Sequence, residues 1–207
     1  MRGRFITLEG GEGAGKSTAV SLVHDWLVKQ GRPVMLTREP GGTPVAERVR
    51  EILLDPATGE LAPMTELLLM FAARSENLAQ VIEPALASGS DVICDRFSDA
   101  SMAYQGGGRE LGREPIEHLR ALVHPQIEPV LTLLLDAPVE IGMARIRGRS
   151  SGPDRFEQSR QGFLERVRQS YLDQARREPA RFAVIDAAQP LDVVHAEITR
   201  ILEKRLS

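Results

Sequence analysis

The feature that most constrains this chain is an eight-residue segment near its start. Residues 10–17 read GGEGAGKS and match the phosphate-binding pattern G-x-x-x-x-G-K-[ST] at every fixed position. The apolar run at residues 4–8 predicts a strand before the segment, and a helical stripe of apolar residues from Ser17 predicts a helix after it. Glycines let successive backbone N–H groups turn toward phosphate oxygens, and the helix N-terminus adds partial positive charge. The chain is therefore predicted to be an α/β protein that binds a nucleoside triphosphate.

Individual positions of this phosphate loop, defined as residues 10–17, have predicted roles. Lys16 is expected to reach the β- and γ-phosphates, and the Ser17 hydroxyl is expected to ligate Mg²⁺. The residues expected to contact the triphosphate are Gly10, Gly11, Glu12, Gly13, Ala14, Gly15, Lys16, Ser17 and Thr18.

Strand-like and helix-like segments alternate along the whole sequence. The predicted strands cover residues 4–8, 33–37, 91–94, 130–135 and 182–185. The predicted helices cover residues 17–30, 45–53, 67–86, 116–123, 139–146, 156–177 and 191–202, and Pro84 is expected to kink or break the third. This alternation indicates a five-stranded parallel, doubly wound sheet with flanking helices, in a single domain over residues 1–207.

Charge and composition exclude several kinds of protein. The 207 residues carry a formal net charge of −3, which disfavours a protein that coats nucleic acid. Cys94 is the single cysteine, so an internal disulfide framework and a cysteine-rich zinc site are excluded. No signal-peptide core is visible, and no uncharged apolar run approaches the roughly 18 residues that a membrane helix needs. We therefore expect a cytoplasmic protein whose partners are neither nucleic-acid polymers nor membranes.

The phosphate loop occurs in kinases, GTPases and motor ATPases, so other features must separate them. The guanine-reading motif Asn-Lys-x-Asp is missing, because the one asparagine, Asn77, is followed by Leu78. A signalling GTPase is therefore disfavoured. A motor ATPase usually needs a longer core and partner domains. A small phosphotransferase remains.

Charged residues follow two of the predicted strands. Asp95 and Arg96 follow the third strand, and Arg38 follows the second. In open parallel sheets, ligands bind at the carboxyl edge, where these side chains are expected. Asp95 can hold Mg²⁺ directly or through water, and the two arginines can grip a phosphate in forked geometry. This pair predicts an acceptor that already carries a phosphate.

At this point the sequence resembles the thymidylate kinase family, in its bacterial form, over nearly its whole length. The segments that carry the resemblance are residues 8–18, 38–43 (REPGGT), 71–74 (FAAR), 95–97 (DRF), 103–108 (AYQGGG) and 154–157 (DRFE). The second and fifth are far more specific to the family than the phosphate loop. The resemblance implies the phosphate-loop nucleoside monophosphate kinase fold with a mobile lid, and a homodimer formed through apolar helix faces.

The resemblance also implies a reaction and an acceptor site. The reaction is the transfer of a phosphoryl group from ATP, as co-substrate with Mg²⁺, to dTMP, giving dTDP. Phe71 is expected to stack on thymine, and Arg74 to donate to a base carbonyl. The residues expected to bind dTMP are Glu12, Arg38, Phe71, Arg74, Arg96, Ser101, Tyr104 and Gln105. The Tyr104 ring is expected to crowd the 2′ carbon, and Glu12 to face the acceptor. Donor adenine is placed near residues 187–190 by fold analogy alone.

The segment at residues 145–157 is polar, rich in arginine and glycine, and is expected to be the lid. The phosphate loop has no basic residue besides Lys16, which in the bacterial form implies that the lid supplies a cation. The groups expected to neutralise charge in catalysis are Lys16, Arg96, Arg149 and Arg155. Two alternatives stay open: another nucleoside monophosphate kinase, for UMP or GMP, and a non-catalytic nucleotide-binding switch.

Overall fold

Five parallel strands form one sheet in the order β2-β3-β1-β4-β5 in the computed structural model, which describes residues 2–147, 154–157 and 161–206. The strands are β1 (Phe5–Gly10), β2 (Val34–Arg38), β3 (Asp91–Asp95), β4 (Leu131–Asp136) and β5 (Phe182–Asp186). Leu8 of β1 pairs with Asp95 on one side and with Leu133 on the other. The predicted doubly wound parallel sheet is confirmed, and the phosphate loop follows its central strand.

Nine α-helices flank the sheet in the described part of the chain. They are α1 (Lys16–Lys29), α2 (Pro44–Leu54), α3 (Pro63–Asn77), α4 (Glu83–Ala87), α5 (Ser98–Ser101), α6 (Glu114–Val123), α7 (Val139–Arg147), α8 (Gln161–Arg177) and α9 (Leu191–Leu206). Among these residues no helix combines the length and apolar character needed to cross a bilayer.

The three inner strands are buried on both faces because successive side chains point to opposite faces of the sheet and both faces are covered. Ile6, Leu8 and Ile93 face a core that α1 and α9 complete through Val23 and Ile198. On the opposite face, the next residues along the same strands pack against the chain from Leu78 to Leu86; this core includes Phe5, Val92, Cys94 and Phe97. Strand β2 differs because it is an edge strand, and its Met35 and Leu36 are exposed.

Three helical regions differ from the sequence prediction. The helix predicted over residues 156–177 begins later, at Gln161, and residues 155–157 form a turn. The predicted helix at residues 67–86 is three pieces: α3, a wider π-helical turn over Leu78–Ile82, and α4. Pro84 lies in the first turn of α4, where a missing N–H is tolerated, and the wider turn precedes it. Helix α5 and the π-helical turn Met102–Gly108 were not predicted, because this glycine-rich stretch carries no clear apolar stripe.

Candidate active site

The phosphate loop closes between the end of β1 and the start of α1. Gly13 has a φ of 69°, a left-handed conformation that favours glycine. The Lys16 Nζ donates to the carbonyl oxygens of Gly10 at 3.2 Å and Gly11 at 2.9 Å. Burial, with the nearby positive charge of Arg96, lowers the pKa of Lys16 to about 8. The loop thus has the shape of an anion cradle, with its ammonium group folded over it.

A first cleft, which we call the donor-side cleft, lies beside the phosphate loop. It has about 610 Å³ of empty space, part of it open to solvent, between Ala14 and Thr18 on one side and Ala187 and Gln189 on the other. Arg145 bridges its two walls: Nη2 donates to the Ala187 carbonyl oxygen at 2.9 Å and Nη1 to the Gly13 carbonyl oxygen at 3.5 Å. The predicted placement of a donor base near residues 187–190 falls on this cleft.

A second cleft, the acceptor-side cleft, lies on the other side of the phosphate loop, also with about 610 Å³ of empty space. Of the residues expected to bind the acceptor, those that line this cleft are Glu12, Arg74, Arg96, Ser101, Tyr104 and Gln105. The fold therefore brings together residues that are up to 93 positions apart in the sequence (Glu12 to Gln105).

Arg96 stands at the junction of the phosphate loop and the acceptor-side cleft. Its Nη2 donates to Glu12 Oε1 at 2.9 Å, and its Nη1 donates to the Gly10 carbonyl oxygen at 2.9 Å. Its guanidinium carbon lies 4.8 Å from the centre of the Tyr104 ring. Tyr104 in turn donates its hydroxyl to Glu12 Oε1 at 2.6 Å. These contacts fix the ring and both charged groups relative to the loop.

Arg74 forms the far end of the acceptor-side cleft and is 2% exposed. Its Nε donates to Glu39 Oε2 at 2.7 Å, and its Nη2 donates to the Phe97 carbonyl oxygen at 3.1 Å and the Ser101 hydroxyl at 3.0 Å. Its buried Nη1 has no hydrogen-bond partner within the described residues. A buried donor without a partner is costly in a folded protein, and an acceptor supplied by a ligand in the cleft that Arg74 lines would offset that cost.

Phe71, the residue expected to stack on the base, packs in the protein core. Its ring is buried in a core cluster with Leu67, Met102 and Ile116, below the guanidinium of Arg74, and does not line the acceptor-side cleft. Met70 lines the cleft instead. The reason is helical geometry: Met70 and Arg74 are four positions apart on one face of α3, whereas Phe71 is turned toward α6. The expectation that Phe71 contacts the base therefore has no support in the geometry.

Gln105 lines the acceptor-side cleft but is held by a buried carboxylate. Its Nε2 donates to Glu66 Oε1 at 2.8 Å, and Glu66 is fully buried. The same carboxylate accepts from Arg109 at 3.0 Å and from Arg155 at 2.6 Å. Glu66 thus connects the cleft wall to the short segment at residues 154–157.

The structure places Arg155 in this buried network. Its Nε donates to the Leu53 carbonyl oxygen at 2.7 Å, in addition to its contact with Glu66. Within the same segment, Phe156 lines the acceptor-side cleft and meets the Tyr104 ring edge-on, with ring centres 5.6 Å apart. Arg149, the other expected lid cation, lies outside the described residues. Part of the predicted lid therefore packs on the acceptor side of the site.

A third, more open cleft separates the phosphate loop from the end of β2. Ser17, Arg38 and Asp95 all line it. The expected Mg²⁺ ligands Ser17 and Asp95 therefore line one cleft, and the buried Asp95 Oδ1 has no hydrogen-bond partner among the residues that the structure describes. Arg38 is about half exposed and donates to Glu47 Oε2 at 2.9 Å. No group of three or more Asp, Glu, His or Cys side chains forms a metal site within the described ranges.

Sequence reasoning missed several residues of the acceptor-side cleft, among them Glu39, Arg50, Met70 and Phe97. Arg50, on α2, is the most informative. Burial, with the positive charges of Arg38 and Arg96 nearby, lowers its pKa. The spacing of twelve residues between Arg38 and Arg50 gave no signal. Glu39 could have been found, since it follows Arg38 within the REPGGT segment.

Comparison with known proteins gives one consistent result. A family model described as thymidylate kinase matches residues 8–198. The chain is 57% identical over 206 residues to a thymidylate kinase from Chromohalobacter salexigens, covering 99% of this chain and 97% of that protein. It is 57% identical over 198 residues to one from Pseudomonas putida, covering 96% and 95%. The crystal structure of thymidylate kinase from Ehrlichia chaffeensis superimposes with a TM-score of 0.79 at 33% identity, covering 98% and 99%.

Proposed function

The chain belongs to the thymidylate kinase family, and we propose that it transfers the γ-phosphoryl group of ATP to dTMP, giving dTDP and ADP. One observation carries the proposal within the site. A buried arginine with an unsatisfied donor, Arg74 Nη1, stands at one end of the acceptor-side cleft, and Arg96 with the phosphate loop stands at the other. A nucleoside monophosphate matches this arrangement, because it has a base carbonyl at one end and a phosphate at the other.

Arg74 selects the base. Its Nη1 donates to a carbonyl oxygen of thymine, and cytosine is rejected because it presents an amino donor at that position. Glu39 and Ser101 hold the guanidinium in place, so it cannot turn away to suit a different base. Burial raises the pKa of Glu39 against the opposing pull of Arg74. Ser101 and Gln105 complete the polar wall around the base.

Tyr104 selects the sugar. Its ring crowds the 2′ carbon, so a ribonucleotide hydroxyl would clash. The hydroxyl bond to Glu12 and the edge-on contact with Phe156 support this role because they hold the ring in one orientation. Glu12 is the phosphate-loop residue that lines the acceptor-side cleft, which supports its predicted position facing the acceptor.

Arg38, Arg50 and Arg96 hold the acceptor phosphate. Forked guanidinium groups match phosphate oxygens, and their mutual repulsion in the free protein favours a dianion between them. Arg38 exchanges its exposed contact with Glu47 for the phosphate. An exposed ion pair of this kind contributes little to stability, so its loss opposes binding only weakly.

The chemistry requires positioning and charge neutralisation rather than a strong base. The attacking phosphate oxygen is already ionised at neutral pH, and the donor phosphates lie on residues 10–18. Lys16, Arg96 and the lid arginines Arg149 and Arg155 neutralise charge as it moves between the two nucleotides. Arg155 must leave Glu66 to take part, so Glu66 holds it in an alternative position.

Ser17 and Asp95 would hold Mg²⁺. The donor set fits because a hydroxyl and an orphaned carboxylate oxygen line one cleft, and phosphate oxygens would supply further ligands. The ion bound there would neutralise charge on the donor phosphates. Donor adenine occupies the donor-side cleft near residues 187–190.

The chain acts as a single domain with a lid at residues 145–157, and it pairs with a second copy. Helices α2 and α3 expose apolar side chains that one folded copy leaves uncovered: Val45, Ile52, Met64 and Leu68. This surface supports a homodimer through apolar helix faces. Analytical ultracentrifugation of the protein and of Leu68→Glu tests it, since a dimer through this face should dissociate in the variant.

Turnover of dTMP, UMP and GMP with ATP and Mg²⁺ tests the proposed function. We expect dTDP to form fastest. Faster turnover of UMP or GMP would favour another nucleoside monophosphate kinase and would overturn the role of Tyr104. The absence of ADP with every acceptor would favour the non-catalytic switch.

A further inference from the structure

We propose that Glu9 and Tyr171 are positioning residues that hold Arg96 in its working orientation. The proposal rests on the proposed function for the role that it gives to Arg96. Neither residue has a place in the reaction described above. Both are buried, Glu9 fully and Tyr171 with 1% of its surface exposed, and neither lines the acceptor-side cleft.

The backbone at Arg96 has an unfavourable conformation that contacts with neighbouring groups must stabilise. Its φ is 70°, in the left-handed region that costs energy for a residue with a side chain. Its own N–H donates to the Leu8 carbonyl oxygen at 3.0 Å, and its carbonyl oxygen accepts from Cys94 Sγ at 2.9 Å. The next N–H, of Phe97, donates to Glu9 Oε1 at 2.7 Å. Glu9 is therefore the side chain that fixes the peptide following the strained residue.

The guanidinium of Arg96 is held from the same carboxylate through a tyrosine. Arg96 Nη1 donates to the Tyr171 hydroxyl at 3.2 Å, and that hydroxyl donates to Glu9 Oε2 at 2.7 Å. One oxygen of Glu9 thus restrains the backbone of Arg96 and the other restrains its side chain. Because both restraints act on one residue, they determine where its charge lies relative to Gly10 and Glu12.

A purely structural explanation accounts poorly for an acid at this position. Glu9 lies on the central strand, where burial and the negative charge of Asp99 raise its pKa against the opposing effects of Arg96 and Tyr171, so its carboxylate form carries a desolvation cost. An apolar side chain on the same strand would avoid that desolvation cost. Glu9 instead supplies two acceptor oxygens next to Arg96: one accepts from the Phe97 N–H, and the other accepts from the Tyr171 hydroxyl that contacts the guanidinium.

Four variants separate positioning from general stability. Tyr171→Phe removes only the hydroxyl, and Glu9→Ala removes both acceptors. Glu9→Gln keeps a carbonyl oxygen for the Phe97 N–H and an amide that can bond to Tyr171, so it should restore much of the function. Thr7→Val is the matched control, since it deletes a buried hydrogen bond to Thr132 (2.8 Å) on the same strand without touching Arg96.

The first measurement follows Arg96 directly and needs no substrate. The side-chain N–H signals of arginine are recorded by NMR, and the Arg96 signal is assigned by its loss in Arg96→Lys. We expect a slowly exchanging signal in the wild type, in Glu9→Gln and in Thr7→Val, and a broadened or lost signal in Tyr171→Phe and Glu9→Ala.

The second measurement compares the change in KM for dTMP with the change in KM for ATP. We expect Tyr171→Phe and Glu9→Ala to raise the KM for dTMP by about 10-fold, which corresponds to the loss of one hydrogen bond to a charged group. The KM for ATP should change by less than about 2-fold. Thr7→Val should lower thermal stability and leave both KM values near those of the wild type.

The outcomes distinguish the two proposals. A wild-type protein that forms no dTDP refutes the proposed function, and the Arg96 signals still decide the inference. Wild-type activity together with an unchanged Arg96 signal and unchanged KM for dTMP in Tyr171→Phe overturns the inference. If Glu9→Ala fails to fold, Tyr171→Phe alone decides it.

Discussion

Gly13 of the phosphate loop and Gly142 of α7 meet backbone to backbone. A Cβ atom built on Gly13 would lie 2.1 Å from the Gly142 carbonyl oxygen, and one built on Gly142 would lie 2.2 Å from the Glu12 carbonyl oxygen. No side chain fits between these elements. Helix α7 leads into the predicted lid, so the phosphate loop is in direct contact with the helix that precedes that segment.

Gly142→Ala should therefore damage ATP binding although alanine is the better helix former. The new methyl group forces the phosphate loop and α7 apart, and we expect the KM for ATP to rise by about 10-fold or more, with a lower Tm. Gly162→Ala is the matched control in α8, because the nearest atom to its Cβ, Arg166 Nη1, is 3.9 Å away. Alanine there should stabilise the protein by up to about 1 kcal/mol and leave the KM for ATP unchanged. Equal effects of the two changes would contradict this reading.

Met70 and Phe71 should respond in opposite ways to substitution. Met70→Ala removes a wall of the acceptor-side cleft, so we expect a KM for dTMP that is higher by about 5-fold and a small change in Tm. Phe71→Leu keeps an apolar side chain in the core but loses the ring and some volume, so we expect a loss of about 1 kcal/mol in the free energy of unfolding and a smaller change in KM. Steady-state kinetics and thermal melts measure both. A selective loss of dTMP binding in Phe71→Leu would restore the stacking role.

His124 should make the protein sensitive to acid. Its Nδ1 faces the Ile127 carbonyl oxygen at 3.2 Å, so Nδ1 carries the proton and Nε2 accepts from the Ser98 hydroxyl at 2.6 Å. Burial, with the positive charge of Arg74 nearby, lowers the pKa of His124 to about 4 from its ordinary value of 6.5. Between these values the unfolded chain binds more protons than the folded one, so stability falls as pH falls from 6.5 to 4.

The size of the acid effect is on the order of 3 kcal/mol in the free energy of unfolding. Urea denaturation at pH 7 and at pH 4.5 measures it in the wild type, in His124→Gln and in His118→Gln. The pH dependence should shrink in His124→Gln and persist in His118→Gln, whose side chain is exposed. An identical pH dependence in all three proteins would refute the assignment to His124.

Tyr104 should discriminate against ribonucleotides by the bulk of its ring. Tyr104→Phe removes the bond to Glu12 but keeps the ring, so the preference for dTMP over its ribose analogue should barely change. Tyr104→Ala opens space at the 2′ carbon and should lower that preference by about 10-fold or more. The ratio of kcat/KM for the two substrates measures it. A large loss of preference in Tyr104→Phe would transfer the role to the hydroxyl.

The sequence allowed local features to be predicted, but it did not allow contacts between distant residues to be predicted. Each strand and the phosphate loop are encoded within a dozen neighbouring residues, and all five strands appear within two residues of their predicted ends. The side of α3 that faces the cleft depends on where α6 packs, so spacing alone could not choose Met70 over Phe71. Glu9 and Tyr171 are 162 residues apart, and only the folded chain shows that they share a hydrogen bond.

Arg74 Nη1 and Asp95 Oδ1 are buried polar atoms that find no partner among the described residues. Each lowers the stability of the ligand-free protein, and each is relieved when a ligand supplies the missing atom. A change that raises thermal stability at these two positions should therefore lower the affinity for the ligand. Laboratory selection for thermal survival alone should collect changes that give Arg74 or Asp95 an internal neighbour, and such variants should be sturdier proteins and poorer binders.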